Sequence, residues 1–323
     1  MNTKDLLSIR DLSPSEMEYL LILGRQIKAR PSRYSDALQG KTLAMIFEKP
    51  SLRTRVSFDV GIQQLGGYSV YLSPAEINLG KRESIHDVAK TLERMAQGIV
   101  LRTFAHERVE EMAIHVDIPV INGLSDFSHP CQAMADLLTI WEVKGKLEKM
   151  KLAFVGDGNN VAHSLMFGGA QLGLEVRIAT PLGYAPDADA VAWAQRRALE
   201  TGGAIFLTND PREAVAGADI VYTDVWTSMG QEADAEQRRL AFRPFQVNAE
   251  LFTLAKRDGL FMHCLPAHRG EEVTSDVIDS DRSVVFQQAE NRLHVQKAIL
   301  SELMKPVPVE AMRPAQAVEF VGA

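Results

Sequence analysis

Apolar positions in this chain follow two patterns: short continuous runs, and longer stretches in which they return every three or four residues. The first pattern predicts strands buried on both faces, and the second predicts helices with one buried side. Ser13-Pro14-Ser15-Glu16 reads as a helix entrance, with Ser13 as cap and Glu16 three residues on, followed by Met17, Leu20 and Leu21. Strands are predicted at Leu43 to Glu48, Tyr68 to Leu72, Ile99 to Arg102 and Pro119 to Asn122. Helices are predicted between them, from Arg53 through Leu65 (ended by Gly66-Gly67) and from Glu83 to Met95. His129-Pro130 opens a long helix over Cys131 to Val143, which the charged stretch Lys144 to Lys149 interrupts.

A second strand series then begins: Leu152 to Val155, Glu175 to Ala179, Ala204 to Leu207, Ile220 to Thr223 and Leu260 to His263. Ser283 to Phe286 reads as a last strand, and Glu290 to Leu303 as a helix able to return to the first half. The expected fold is α/β, with two doubly wound, mainly parallel-sheet domains and an active-site cleft between them. The expected division is residues 1–140 completed by a returning helix at 290–310, then 141–289, with a tail at 311–323. At 323 residues the chain is long enough for two cores.

Composition narrows the partners. With 35 Lys and Arg against 42 Asp and Glu, the net charge is −7, which argues against broad binding to nucleic acid or anionic lipid. No apolar segment approaches the roughly 20 residues needed to span a bilayer. The N-terminus has neither the basic start nor the cleavage site of a secretory signal. Two cysteines, Cys131 and Cys264, do not make a disulfide scaffold, so the expected setting is cytoplasmic.

Candidate chemistry clusters where strands end. Ser51-Leu52-Arg53-Thr54-Arg55 follows a predicted strand and opens a predicted helix, whose free N–H groups and dipole favour an anion. Arg53 can grip an oxyanion with its planar fork, and Ser51 and Thr54 add hydroxyls. A capped helix with solvated arginines is the plain alternative. Arg102, at another strand end, is a second anion ligand or a surface arginine. Gly156-Asp157-Gly158-Asn159-Asn160 permits a tight turn but does not reproduce G-x-G-x-x-G, since residue 161 is valine, so a dinucleotide cofactor is not expected. His129 and Gln132 share one helix face at spacing three. Asp224 to Gly230 can recognise an ammonium through Asp224, while Trp226 and Met229 are equally suited to packing. Cys264 can be a nucleophile, a substrate-orienting thiol or a buried cysteine. No CxxC or HExxH motif occurs, so no metal is expected.

Taken together, FEKPSLRTRVSF (47–58), LRTF (101–104), NGLSDFSHPCQAMADLLT (122–139), VGDGNNVAHS (155–164), TDVWTSMGQE (223–232), MHCLPAHRGEEV (262–273) and FQQAENRLHVQKAI (286–299) resemble the carbamoyltransferase family, and within it the ornithine branch. The resemblance spans about residues 5–305. It implies transfer of a carbamoyl group from carbamoyl phosphate to the δ-amine of L-ornithine, giving citrulline and phosphate, with no cofactor. Carried over by position, carbamoyl phosphate would meet Ser51, Leu52, Arg53, Thr54, Asn78, Arg102, His129, Gln132, Cys264, Leu265 and Arg292. Arg53, Arg102, His129 and Cys264 would be the catalytic group. Ornithine would be held by Asn160, Asp224, Ser228 and Met229. The resemblance also implies a homotrimer, with a neighbouring chain adding a polar loop residue, and leaves higher assembly open, as it does the choice between arginine synthesis and citrulline breakdown. Two departures stand out: Leu52 replaces the threonine of a Ser-Thr-Arg-Thr-Arg run, and Asn78-Leu79-Gly80 replaces Gln-Leu-Gly.

Overall fold

The structure, a computed structural model, describes residues 1, 3–228, 230 and 232–305. The expectations placed on Met229 and on the 311–323 tail lie outside the described residues.

The first half runs α1 (Pro14–Ala29), β1 (Thr42–Phe47), α2 (Leu52–Gln64), β2 (Tyr68–Leu72), α3 (Pro74–Ile77), α4 (Ile85–Glu93), β3 (Gly98–Arg102), α5 (Glu107–Ile114) and β4 (Val120–Leu124). The long helix α6 (Pro130–Lys144) crosses to the second half. There the order is β5 (Lys151–Val155), α7 (Asn160–Gln171), β6 (Glu175–Ala179), α8 (Ala188–Thr201), β7 (Ala204–Thr208), α9 (Pro211–Val215) and β8 (Ile220–Thr223). It continues with α10 (Ala235–Phe242), α11 (Ala249–Phe252), β9 (Leu260–His263), α12 (Ser275–Ile278) and α13 (Val285–Leu303).

Local chemistry explains the boundaries. Ser13 and Glu16 form a capping box on α1 with Pro14 in the first turn, and Gly145 ends α6 in the left-handed region at φ 76°. The inner strands β1, β3 and β5 are almost wholly buried, whereas the edge strands β2 and β7 expose part of each face.

All pairings are parallel, in the orders β2-β1-β3-β4 and β7-β6-β5-β8-β9. In each sheet the chain builds outward on one side of its first strand and then crosses to the other. The reversals fall between β1 and β3 and between β5 and β8, and at such points the carboxyl ends of the strands open a crevice for ligands. Ser51 follows β1 and Arg102 ends β3; Asn160 opens the helix after β5, and Asp224 follows β8.

The strand expected at Ser283 to Phe286 is not formed. Ser283 makes one isolated bridge to Phe261, and Val285 already begins α13. The chain touches the sheet through Phe261 N–H to Arg282 O and Val284 N–H to Phe261 O, then coils. Coiling here lets Gln288 and Arg292 come up on one helix face four residues apart. Helix α13 packs on α1, α2 and α6 and ends at Leu303, where the apolar pattern placed its end; residues 306–310 of the expected returning segment lie outside the described residues. Among the described residues, no helix is long and apolar enough to cross a membrane.

One backbone contact shapes the second crevice. A Cβ at Gly158 would lie 2.2 Å from Pro186 N, 2.4 Å from Ala185 C and 2.6 Å from Tyr184 O, all backbone atoms that cannot rotate away. Gly158→Ala is therefore expected to lower stability by about 1–3 kcal/mol through overpacking, read by urea unfolding. A variant as stable as the parent would show that this loop has slack.

Candidate active site

Ser51 caps α2, its Oγ accepting from Thr54 N–H at 3.2 Å. The Leu52 side chain is 72% exposed. The departure from threonine therefore leaves no buried hydroxyl missing. Thr54 is buried, and its Oγ1 accepts from Arg292 Nη2 at 3.2 Å and from Arg102 Nη1 at 3.5 Å. Arg102 lies at the end of β3, beside Phe47 in the ladder, while Arg292 comes from α13. The structure thus brings Arg102, Arg292 and the start of α2 into one pocket.

That pocket is electrostatically unbalanced. Burial, then Arg292 and Arg53, pull the Arg102 guanidinium down to about 10. Burial and the same three arginines hold the His129 imidazole well below its ordinary range, so it is neutral near pH 7. Arg102 Nε, Arg292 Nε and His129 Nδ1 are buried without hydrogen-bond partners among the described residues. Buried guanidinium N–H groups of this kind cost free energy until a ligand meets them, and an oxyanion is the acceptor that suits them.

Gln132 is oriented at both ends. Its Oε1 accepts from Arg292 Nη1 at 2.7 Å, and its Nε2 donates to Asp136 Oδ1 at 2.8 Å. The same Asp136 oxygen accepts from Gln288 Nε2 at 2.7 Å, and Gln288 Oε1 accepts from His263 N–H at 3.0 Å. A buried hydrogen-bond chain therefore runs from Thr54 through Arg292, Gln132, Asp136 and Gln288 to the end of β9. Asp136 and Gln288 were missed in the sequence. Asp136 lies one helical turn from Gln132, a readable spacing, but Gln288 is reached only through the return of α13.

The second half faces this pocket. Asp224 Oδ2 accepts from Asn159 Nδ2 at 2.9 Å, while Oδ1 accepts from Val225 N–H at 2.8 Å and from Cys264 Sγ at 3.0 Å. Burial, then Asp224, push the Cys264 thiol well above its ordinary range. It is thus a protonated donor, not the thiolate a nucleophile requires. Arg53, lowered by burial, is opposed in this by Cys264 and Asp224, so its charge acts across the crevice. Asn160 Nδ2 donates to Ser125 O at 2.6 Å, and His129 N–H donates to Ser164 Oγ at 2.8 Å, joining the two halves. Leu265 adopts the left-handed region at φ 58° before a cis bond to Pro266, and its N–H donates to His263 Nδ1 at 2.8 Å. Holding a branched side chain there costs of order 1–3 kcal/mol and re-aims the backbone after Cys264. Asp224, His263 and Cys264 bring metal-capable atoms within 4.8 Å of one another, though these already bond one another or Leu265. Ser228 lies at the partly buried end of this loop.

Asn78 is not drawn in. It caps α3 at φ 48°, with backbone bonds to Pro74, Lys81 and Arg82, and among the described residues no hydrogen bond joins it to the arginine pocket. Arg55 turns away and stacks at 3.8 Å over the Tyr71 ring.

Residues 4–142 match the family model for the aspartate/ornithine carbamoyltransferase carbamoyl-P binding domain, and residues 148–303 match the Asp/Orn binding domain of the same family. The chain belongs to the aspartate/ornithine carbamoyltransferase family. An ornithine carbamoyltransferase of Thermococcus kodakarensis is 55% identical over 95% of this chain and 98% of its own length. One from Anoxybacillus flavithermus is 56% identical over 93% of this chain and 96% of its own. The solved ornithine carbamoyltransferase of Pyrococcus furiosus superposes with a TM-score of 0.90 at 54% identity, covering 93% of this chain and 96% of that one. Within this carbamoyltransferase framework the arginine pocket falls in the first matched domain, apart from Arg292, and the Asp224–Cys264 pair in the second.

Burial raises Asp136 from an ordinary 3.8 to about 7, against hydrogen bonds from Gln132 and Gln288 and the nearby Tyr222 and Arg292. Between those two values the folded protein holds a proton that the unfolded chain has lost, so stability falls as pH rises through that window. Asp136→Asn keeps an acceptor oxygen and removes the titration. Its stability relative to the parent, from urea unfolding, is expected to improve between pH 5 and pH 8. A pH-independent difference would assign the slope to other groups.

Proposed function

We propose that this chain transfers the carbamoyl group of carbamoyl phosphate to the δ-amine of L-ornithine, forming L-citrulline and inorganic phosphate. The observation that carries the reading is a buried pair of arginines, Arg102 and Arg292, around Thr54, with the half-buried Arg53 beside them, set against the acidic Asp224–Cys264 pair. One half suits a dianion and the other an amino acid's ammonium.

In this reading the phosphate sits on the α2 N-terminus between Ser51, the Leu52 backbone, Arg53, Thr54 and Arg102. His129, neutral by environment, donates to the carbamoyl oxygen, and Gln132, Leu265 and Arg292 orient the carbamoyl end. Asn160, Asp224, Ser228 and Met229 hold ornithine, with Cys264 as an orienting donor to Asp224. The neutral δ-amine attacks the carbonyl carbon, forming the new C–N bond. The tetrahedral intermediate then expels phosphate by breaking the C–O bond, and the leaving phosphate takes up the amine's proton. Preorganised arginines facing the oxyanion stabilise charge as it develops, with no reorganisation at that moment. Closure of the two halves excludes water, which would otherwise consume carbamoyl phosphate.

Aspartate is the second substrate to weigh, because the family is named for both amino acids. Aspartate brings an extra carboxylate, which Asp224 would repel, so ornithine is favoured. A homotrimer is part of the proposal. Leu52, Val56, Tyr68 and Val70 expose apolar side chains on α2 and the edge strand β2, a surface suited to another copy, whose Asn78 would complete the phosphate site. The two unpaired cysteines fit a cytoplasmic setting.

The assay supplies carbamoyl phosphate with ornithine, putrescine, acetylornithine, lysine or aspartate and measures each carbamoylated product. Citrulline is expected to dominate, and no citrulline above background would end the assignment. Arg53→Ala is expected to lower kcat by about 10²–10³-fold in a folded protein, as loss of an oxyanion-stabilising donor does. Near-normal turnover would remove Arg53 from the role given it.

A further inference from the structure

Arg238 is a buried arginine outside every motif considered so far. It lies on α10 and is 7% exposed. Its Nε donates to Trp226 O at 2.6 Å, and its Nη2 pairs with Asp157 Oδ2. Its guanidinium lies 5.0 Å from the Tyr184 ring centre and 5.1 Å from that of Phe242, and these rings meet edge to face at 4.7 Å. Trp226 stacks on Phe242 at 6.2 Å and is itself buried.

The two groups Arg238 holds belong to the two loops that build the amino-acid half of the site. Asp157 stands in the turn after β5, two residues before Asn159, whose amide donates to Asp224. Trp226 is midway between Asp224 and Ser228. Asp157 and Asp224 are close enough to repel, and burial with that repulsion raises the Asp157 carboxyl to about 6 against the pull of Arg238. Without the arginine, two carboxylates would share a buried crevice and the 224–228 turn would lose its central tether.

We infer that Arg238 is a positioning residue for the amino-acid substrate, pinning the Asp224–Ser228 turn through Trp226 O while neutralising Asp157. The inference rests on the assignment of the ornithine contacts above. Arg238 touches no substrate. Its fork matters because one planar group must serve a carbonyl and a carboxylate at once, and lysine can serve them only as a point charge.

The test compares the full-length parent with Arg238→Gln, Arg238→Lys and Asp157→Asn, measuring KM for each substrate, kcat and Tm. Arg238→Gln is expected to raise the ornithine KM about tenfold or more, while the carbamoyl phosphate KM stays within about threefold. Arg238→Lys is expected to restore part of the loss by keeping the pair to Asp157. Asp157→Asn, which keeps a hydrogen-bonding side chain but leaves Arg238 unneutralised, is expected to raise the ornithine KM selectively. With Trp141 and Trp193 replaced by Phe in parent and variants alike, tryptophan emission on adding norvaline (ornithine without its δ-amine) in the presence of carbamoyl phosphate reports Trp226, and its titration midpoint is expected to shift with KM. An ornithine KM within twofold of the parent in the folded variants overturns the inference, as do equal rises in both KM values. If Arg238→Gln does not fold, the lysine and asparagine variants decide by the same criteria. A parent that makes no citrulline would instead remove the functional assignment itself.

Discussion

Two buried guanidiniums, Arg102 and Arg292, share one hydroxyl, that of Thr54. Taking such charges out of water costs several kcal/mol each unless something compensates. Their carboxylates are kept at a distance: Asp136 stands behind Gln132, and Asp224 lies across the crevice. The fold supports this unfavourable concentration of positive charge by fixing it from three directions, a strand end, a helix start and a helix returning from far along the chain. Burial, with the field of the same arginines added to it, keeps His129 neutral, so enclosing the charged pocket also sets the protonation state of its imidazole.

The rest of the architecture follows from holding that pocket rigid while leaving it open on one side. Each parallel sheet reverses its winding beside its first strand, and the reversals place four functional loops around one crevice. Helices α6 and α13 pack together behind it. Their buried faces are partly polar: Gln132, Asp136, Gln288 and Arg292 are hydrogen-bonded in a chain, while Arg292 Nε is left without a partner among the described residues. That chain reaches from the Thr54 hydroxyl to the backbone before Cys264, through side chains with little freedom to rearrange singly.

Much of this was legible in the sequence because it is local. Continuous apolar runs marked the nine strands found among the described residues, and cap chemistry marked the starts of α1, α2 and α6. The motif loops were readable because each lies within a few residues of a strand end. The Ser283 to Phe286 run misled because β-branched residues suit a strand, yet a single bridge to Phe261 is all the sheet offers there. Cys264 stayed ambiguous because its spacing says nothing of its surroundings; burial, with the Asp224 carboxylate 3.0 Å away, makes it a protonated donor. Arg238 and Gln288 carried no local signal at all.

The sequence by itself determined the alternation of strands and helices, the α/β class and the segments bearing the chemistry. These depend on side-chain periodicity and on hydrogen bonds spanning three or four residues. Only the tertiary structure decided which charges are buried together, which are neutralised and which are left for a ligand. Such outcomes depend on distance and desolvation between residues as far apart as Thr54 and Arg292, quantities that no spacing along the chain encodes.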